Sequence, residues 1–510
     1  MVFSRLSRSL RADLAVICSF LIKQPSSKGF RKLGLLAFAP LFLSVATIVE
    51  LQSPASAQYV DIIPDATGGS FNNAGGKAGS IDIGDGTATA TGAIAIGSAA
   101  TSASGTDAVA IGSGANASNT NAVTLGNLAK ASGSNAIAVG FKSNAASSDS
   151  ITVGNNTSVS NTGSSGAIAI GNGTYITSNA SNSTAVGSGA SIDGGSNNAI
   201  AIGDAGVAGG AAGSIAIGQN AAVGTNASGA TVIGQNASTG GTNTTAIGQG
   251  ANTGGASSTA VGNSAKAEGK SSSAYGDSSL AKGDNSVAIG SGAKANETTS
   301  TNAIAIGNNA RADNIAAIAI GDGATAGNNS NTWNPIAIGA SAKANAAGAS
   351  AFGSYAQALT TNSTATGTDA QAKGRLSSAY GSSALAGGDN SVAIGQAKAN
   401  ETTGTNAIAV GNEATADAQD AIAQGTGAIA SQANAIATGN AAQATDTEAI
   451  AIGNNAKATM QAATAIGNNT EASGEDSVAV GDVAKATQEN GALLNQGMNE
   501  TGIGTSPNLR

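Results

Sequence analysis

GAIAIGSAATSASGTDAVAIGSGANAS, residues 92–118, states nearly the same phrase twice. Aligning the chain on the glycine that closes each such phrase gives 27 copies, from Gly97 to Gly481. Of the 26 intervals between them, 17 are 14 residues long and the rest are 15 to 18. A 14-residue period is too short for a helical repeat unit and fits one coil of a β-solenoid, made of two short strands and two turns. Alanine in bulk favours helix, but glycine every 14 residues, with Asn, Ser and Thr clustered between, overrides that preference. The periodicity predicts an all-β chain, a parallel β-roll of stacked coils.

The register within each copy is sharp. Two residues before the glycine stands Ala in 24 of 27 copies, the exceptions being Thr124, Thr152 and Val232. The residue just before the glycine is Ile, Val, Leu, Tyr or Phe in 24 of 27, and the residue three before it is Ile, Val, Thr or Ser throughout. Alternate strand residues face opposite sides, so the small Ala points one way and the branched pair the other. A strand with one wet face would carry a polar residue at every second place, whereas "AIAI" is apolar on both. One side is expected against the roll interior and the other against a partner surface, most economically a further copy of the chain about the rod axis. The residues leave open whether the Ala or the branched side meets that axis. After the glycine, Ala recurs at the third and fifth places with a polar residue between, as in Ala129-Lys130-Ala131, Ala265-Lys266-Ala267 and Ala456-Lys457-Ala458. This one-faced alternation predicts a second, water-facing strand in each coil.

Gly97, Gly112, Gly126, Gly140, Gly154, Gly171, Gly187, Gly203, Gly218, Gly290, Gly307, Gly453 and Gly481 read as turn residues. Each follows the apolar strand where the chain must reverse, and glycine adopts positive φ without steric cost. Asn, Asp or Ser often follows, as in "GNN" at 307, 453 and 467, so stacked turns can build side-chain ladders. These polar residues read as turn formers and not as metal ligands, because no "GGxGxD" calcium signature is present. Residues beyond 14 are expected to bulge out as loops at 155–166, 296–302 and 327–335. Trp333, the only tryptophan, is the candidate ligand contact; covering an apolar coil beside Pro335 is the alternative.

Composition narrows the chemistry. Among 510 residues, glycine numbers 73, aromatics make up 3% and charged residues 10%, so a core of large side chains is missing. There is no histidine, and the one cysteine, Cys18, lies in the N-terminal leader. A Ser-His-Asp triad, a Cys-His pair and an ordinary zinc site are thereby excluded, no carboxylate pair recurs within one distinctive coil, and neither an enzyme nor a cofactor is expected.

Residues 1–57 differ from the rest: seven basic residues from Arg5 to Lys32, an apolar run over 33–49, and "ASA" ending at Ala57. This predicts a secretory signal with a long basic leader, cleaved after Ala57, the alternative being an uncleaved anchor. Cleavage would leave 15 basic against 28 acidic groups, a net charge of −13 that argues against a nucleic-acid partner. The expected organisation is then a signal at 1–57, an N-terminal capping segment at 58–92, repeats at 93–487 and a polar tail at 488–510. The stretch SSAYGDSSLAKGDNSVAIG at 272–290 returns as SSAYGSSALAGGDNSVAIG at 377–395, seven coils later, so whole-coil duplication has lengthened the rod.

"NSVAIG" at 285–290 and 390–395, with "SNAIAVG" and its relatives over about residues 80–487, resembles the head repeats of trimeric autotransporter adhesins, the YadA-like family. The resemblance implies a left-handed parallel β-roll, a homotrimeric head and a bacterial cell-surface or extracellular location. For function it implies attachment to host matrix, cells or abiotic ligands. The heptad stalk and C-terminal strand anchor of that family are not read in this chain, which raises the expectation of release or of a separate outer-membrane anchor partner. An ice- or carbohydrate-binding solenoid and a purely structural surface-coat fibre are the competing readings.

Overall fold

The computed structural model describes residues 77–494, apart from 85, 99, 161, 296–300, 328–332 and 401–404, together with the isolated pairs 60–61, 63–64 and 71–72. The expected signal, its cleavage at Ala57 and most of the polar tail lie outside the described residues. By contacts the chain divides at Val60, and the solenoid belongs wholly to the second unit, Asp61–Arg510.

Every coil contributes one strand to each of two parallel sheets. The first sheet stacks the "AIAI" segments in register: Val123, Thr124 and Leu125 lie beside Ile137, Ala138 and Val139, which lie beside Ile151, Thr152 and Val153. The second stacks two-residue strands such as Asn116–Ala117, Lys130–Ala131 and Asn144–Ala145. Among the described residues this second sheet has 28 strands, from Thr87–Ala88 to Lys485–Ala486. The coils run past the expected repeat limits at both ends, since Ile81–Gly84 stacks on Ile94–Gly97 and Ala492–Leu494 stacks on Val478–Val480. At about 4.8 Å per coil, 28 coils make a rod of about 130 Å.

The interior is built almost entirely of methyl groups. In the coil closing at Gly140, Ala136 and Ala138 from the first sheet and Ala129 and Ala131 from the second are all fully buried. The sheets therefore approach closely, and the 14-residue coils hold nothing larger inside than Thr, as at Thr124, Thr152 and Thr253. Serine replaces alanine at the first of these places in many coils and satisfies its hydroxyl on the preceding turn, as where Ser272 Oγ donates to the Gly269 carbonyl at 2.7 Å. This settles the orientation the sequence left open: Ala lines the roll, and the branched pair points outward.

The closing glycines turn the chain and also let the turns stack. Gly126 has φ +143° and Gly140 φ +125°, in the region side chains rarely adopt. A Cβ on Gly126 would stand 2.5 Å from the Gly140 carbonyl oxygen and 2.7 Å from its carbon. Gly97, the last residue of its strand, lies outside that φ range, but a Cβ there would stand 2.6 Å from Thr101 Oγ1 and 2.7 Å from the Gly112 carbonyl oxygen.

Between residues 154 and 239 the coils widen. The expectation of a loop at 155–166 is corrected here: the extra residues lengthen the wall of the coil and do not leave it. A third corner forms, paired between coils by Asn179 N–H to the Thr162 carbonyl at 2.6 Å and Gly195 N–H to the Asn179 carbonyl at 2.9 Å. The enlarged lumen is filled by Val159, Ile176, Ile192, Val207 and Val223, each no more than 2% exposed, where other coils have Ala or, at Thr239 and Thr253, Thr. Those larger inner residues are the physical reason: a coil two residues longer has room that only a branched side chain can fill. The other expected loops, at 296–302 and 327–335, fall mostly outside the described residues.

Candidate functional surface

Two surfaces are built by repetition, and one corner is built by a single coil. The first surface is the outward face of the first sheet. At each layer the side chains three and one before the glycine stand on this face, and both stay partly exposed in the single chain, as for Ile200, which is half-buried, and Ile202, which is 39% exposed. Leu125, Ile170, Ile233, Ile247, Ile289, Ile394, Ile452 and Ile466 repeat this exposure along the rod. Taking about 10 Å for the width of the strand, this face covers roughly 1,300 Å², mostly apolar but interrupted at Thr364/Thr366, Gln424 and Thr438. Ordinary monomers rarely expose contiguous apolar patches beyond a few hundred Å².

The second surface is the outer face of the second sheet. Its row reads Asn116, Lys130, Asn144, Ser158, Tyr175, Ser191 in successive coils. Farther along, Lys294 stacks on Arg311, and Lys485 pairs with Glu471 at 3.1 Å. Such a surface pair in water contributes well under about 1 kcal/mol. The row is mostly polar, interrupted by Leu280, Leu385 and Ile429, and is not uniform in residue type.

The turns between the sheets carry the side-chain ladders that "GNN" foreshadowed. Asn121 Nδ2 donates to Asn135 Oδ1 at 2.9 Å, and Asn135 Nδ2 donates to Asp149 Oδ1 at 2.9 Å. Asn454, Asn468 and Asp482 form a second such run, at 3.0 and 2.9 Å. Each run ends on Asp, which accepts and cannot donate, so the carboxylate fixes the direction of the amides before it. Many of these residues occupy positive φ, Asn121, Asn135 and Asp149 at +55°, +58° and +58°, which Asn and Asp tolerate better than other side chains. Among the described residues no three acidic side chains gather as a cation site.

Trp333 sits at one such turn. Its backbone is fixed by a parallel bridge to Ile315 and by Gly348 N–H donating to its carbonyl at 3.0 Å. Its side chain is 64% exposed and Ile315 beside it 48%, so the two form a small apolar step on a polar corner. Sequence reasoning singled out Trp333 and missed Ile315, whose signal was its replacement of the usual small or polar turn residue. Tyr355 and Leu376, 55% and 51% exposed at positive φ, were also missed because nothing local marks them.

The family model described as YadA head domain repeat (2 copies) matches residues 103–129, 131–157, 226–251, 254–279, 281–301, 299–324, 336–356, 347–370, 372–397, 403–428, 416–442, 430–456 and 458–484. Together these cover more than half of the chain. They leave out 158–225, where the coils widen and Val or Ile replaces the inner Ala. No curated protein matches the chain. Periodicity, two-sheet parallel topology, inner alanines and closing glycines all agree with the matched repeats, and the chain belongs to the YadA head family of adhesin-type proteins.

Proposed function

We propose that the protein is a cell-surface or secreted bacterial adhesin whose rod is a homotrimer. The single observation that carries the trimeric reading is the outward Ile/Val ladder. It runs the length of the solenoid, and at roughly 1,300 Å² per chain it exceeds the ~800 Å² that each partner buries in a standard stable interface. Three copies packed about a common axis would cover it and leave the polar sheet and the turns in water. Family membership supports the adhesive role, and the basic leader with its apolar run supports export by way of a signal cleaved after Ala57.

Binding to host matrix, cells or abiotic surfaces is assigned to the outer row and turns, where many weak identical contacts add by avidity. Trp333 with Ile315 is the strongest single contact candidate, a rigid amphipathic ring on an ordered backbone. A flat one-residue array, as an ice-binding surface requires, is not supported by the mixed row from Asn116 to Ser191. The test is retention of the purified rod on immobilised matrix protein, cells and plastic. Retention on any of these that falls when Trp333 is changed to Ala supports the reading, and no retention on any of them contradicts it.

A further inference from the structure

The outward ladder has a weakness: its layers are nearly identical. A copy sliding by one coil along another would again meet branched against branched, so the ordinary layers cannot set the relative height of the chains. Layers at Thr366, Gln424 and Thr438 carry a polar residue just before the glycine, and three further layers differ at both places. At Ser273/Tyr275, Ser350/Phe352 and Ser378/Tyr380 the residue just before the glycine is aromatic, and the residue three before it is Ser. Among the 27 aligned copies, Ser occupies that earlier place in these three alone, and an aromatic occupies the later place in the same three alone. The first and third layers share one duplicated segment, while Ser350/Phe352 arose in a different sequence context. Bulk added at one end of the strand is thus matched by bulk removed at the other end of the same face. Within the single chain the rings remain partly exposed, Tyr275 at 40% and Tyr380 at 43%, with Phe352 half-buried.

We infer that these three Ser–aromatic layers are register keys for the assembly of this chain with copies of itself, each ring filling the space its neighbour's serine vacates at the same height. The inference rests on the homotrimer reading above, and the occupant it requires is a parallel second copy. The spacing of the keys strengthens it. Counting coils along the chain, Tyr275 and Phe352 are five apart, Phe352 and Tyr380 two apart, and the outer pair seven apart. All three spacings differ. Only the unslipped alignment seats all three keys; a slip of two, five or seven coils seats one, and any other slip seats none. An unseated ring meets a layer in which a branched residue such as Val287, Ile336 or Thr364 stands in the serine's place, while its own serine faces a void, and close-packed interfaces penalise both.

The test uses the full chain with Cys18→Ser and Lys343→Cys, the latter an exposed position on the polar sheet, carrying a nitroxide label. Distances between labels on different copies are read by pulsed electron resonance, and mass by light scattering. The comparison variant replaces each key with the layer beside it: Ser273→Val and Tyr275→Ile, Ser350→Ile and Phe352→Ile, Ser378→Val and Tyr380→Ile. Every substituted residue already stands one coil away on the same face, so folding is preserved. The expected result is one narrow distance in the parent and the same mass in the variant, with the distance distribution at least doubled in width. A variant as narrow as the parent overturns the key role alone. So does a broad parent, or a variant that no longer assembles, which would assign these layers to affinity. A monomeric parent overturns the trimer reading and this inference together.

Discussion

Gly126 and Gly140 stack so closely that a methyl group on the first would press into the carbonyl of the second, 2.5 Å from its oxygen. Gly126 also holds φ +143°, so alanine there is penalised by conformation as well as by collision. Gly126→Ala is expected to lower stability by about 1–3 kcal/mol or more. Because each coil touches only its neighbours, the loss should be local. Hydrogen exchange should quicken in coils 109–140 and stay slow beyond about residue 200; uniform quickening would contradict nearest-neighbour stacking.

The two coil widths predict opposite responses to side-chain size. Ile176 is 1% exposed in the widened region, and Ile176→Ala should cost about 2–5 kcal/mol through the cavity it leaves. Ala288 is fully buried in a narrow coil, and Ala288→Ile should cost about 1–3 kcal/mol by forcing the sheets apart. Denaturant unfolding of both variants checks this. Tolerance of isoleucine at 288 would show that the narrow lumen is not closely packed.

Asn135 joins two needs in one side chain: it holds φ +58° and links Asn121 to Asp149. Asn135→Ala should cost about 1–2 kcal/mol, from the left-handed backbone and two exposed hydrogen bonds. Asn135→Gly removes the bonds and keeps the conformation, so it should recover most of that loss. Equal melting temperatures for the two variants would show that the ladder, and not the turn, supplies the stability.

Trp333→Ala should leave unfolding within about 0.5 kcal/mol of the parent, because the side chain is 64% exposed and only its backbone is held in the ladder. Surface retention should fall several-fold. A large drop in stability would assign Trp333 to covering a coil, the alternative its neighbour Pro335 raised.

Much of this was legible in the residues. The 14-residue spacing of the closing glycines carried the solenoid, and Ala129-Lys130-Ala131 carried the water-facing strand, since a side chain's face follows from alternation alone. The apolar strand was harder. "AIAI" has the same alternation whichever way it points, and only packing shows that Ala136 and Ala138 must be inside because the sheets lie too close for isoleucine. The run at 155–166 misled for a related reason. Extra residues in a coil can leave the wall or lengthen it, and the outcome depends on Val159 and Ile176 filling the wider lumen together. Ile315 beside Trp333 was hidden because their contact joins residues one coil apart.

The outward Ile/Val ladder is the centre of this account, and the mass of the purified chain in solution tests it most directly. Light scattering at micromolar concentration should give a particle of three chains of 48.1 kDa each, less any cleaved leader, and Ile289→Asp with Ile394→Asp on that face should reduce it toward one. A stable single chain in the parent would contradict the claim that copies of this protein cover its apolar face.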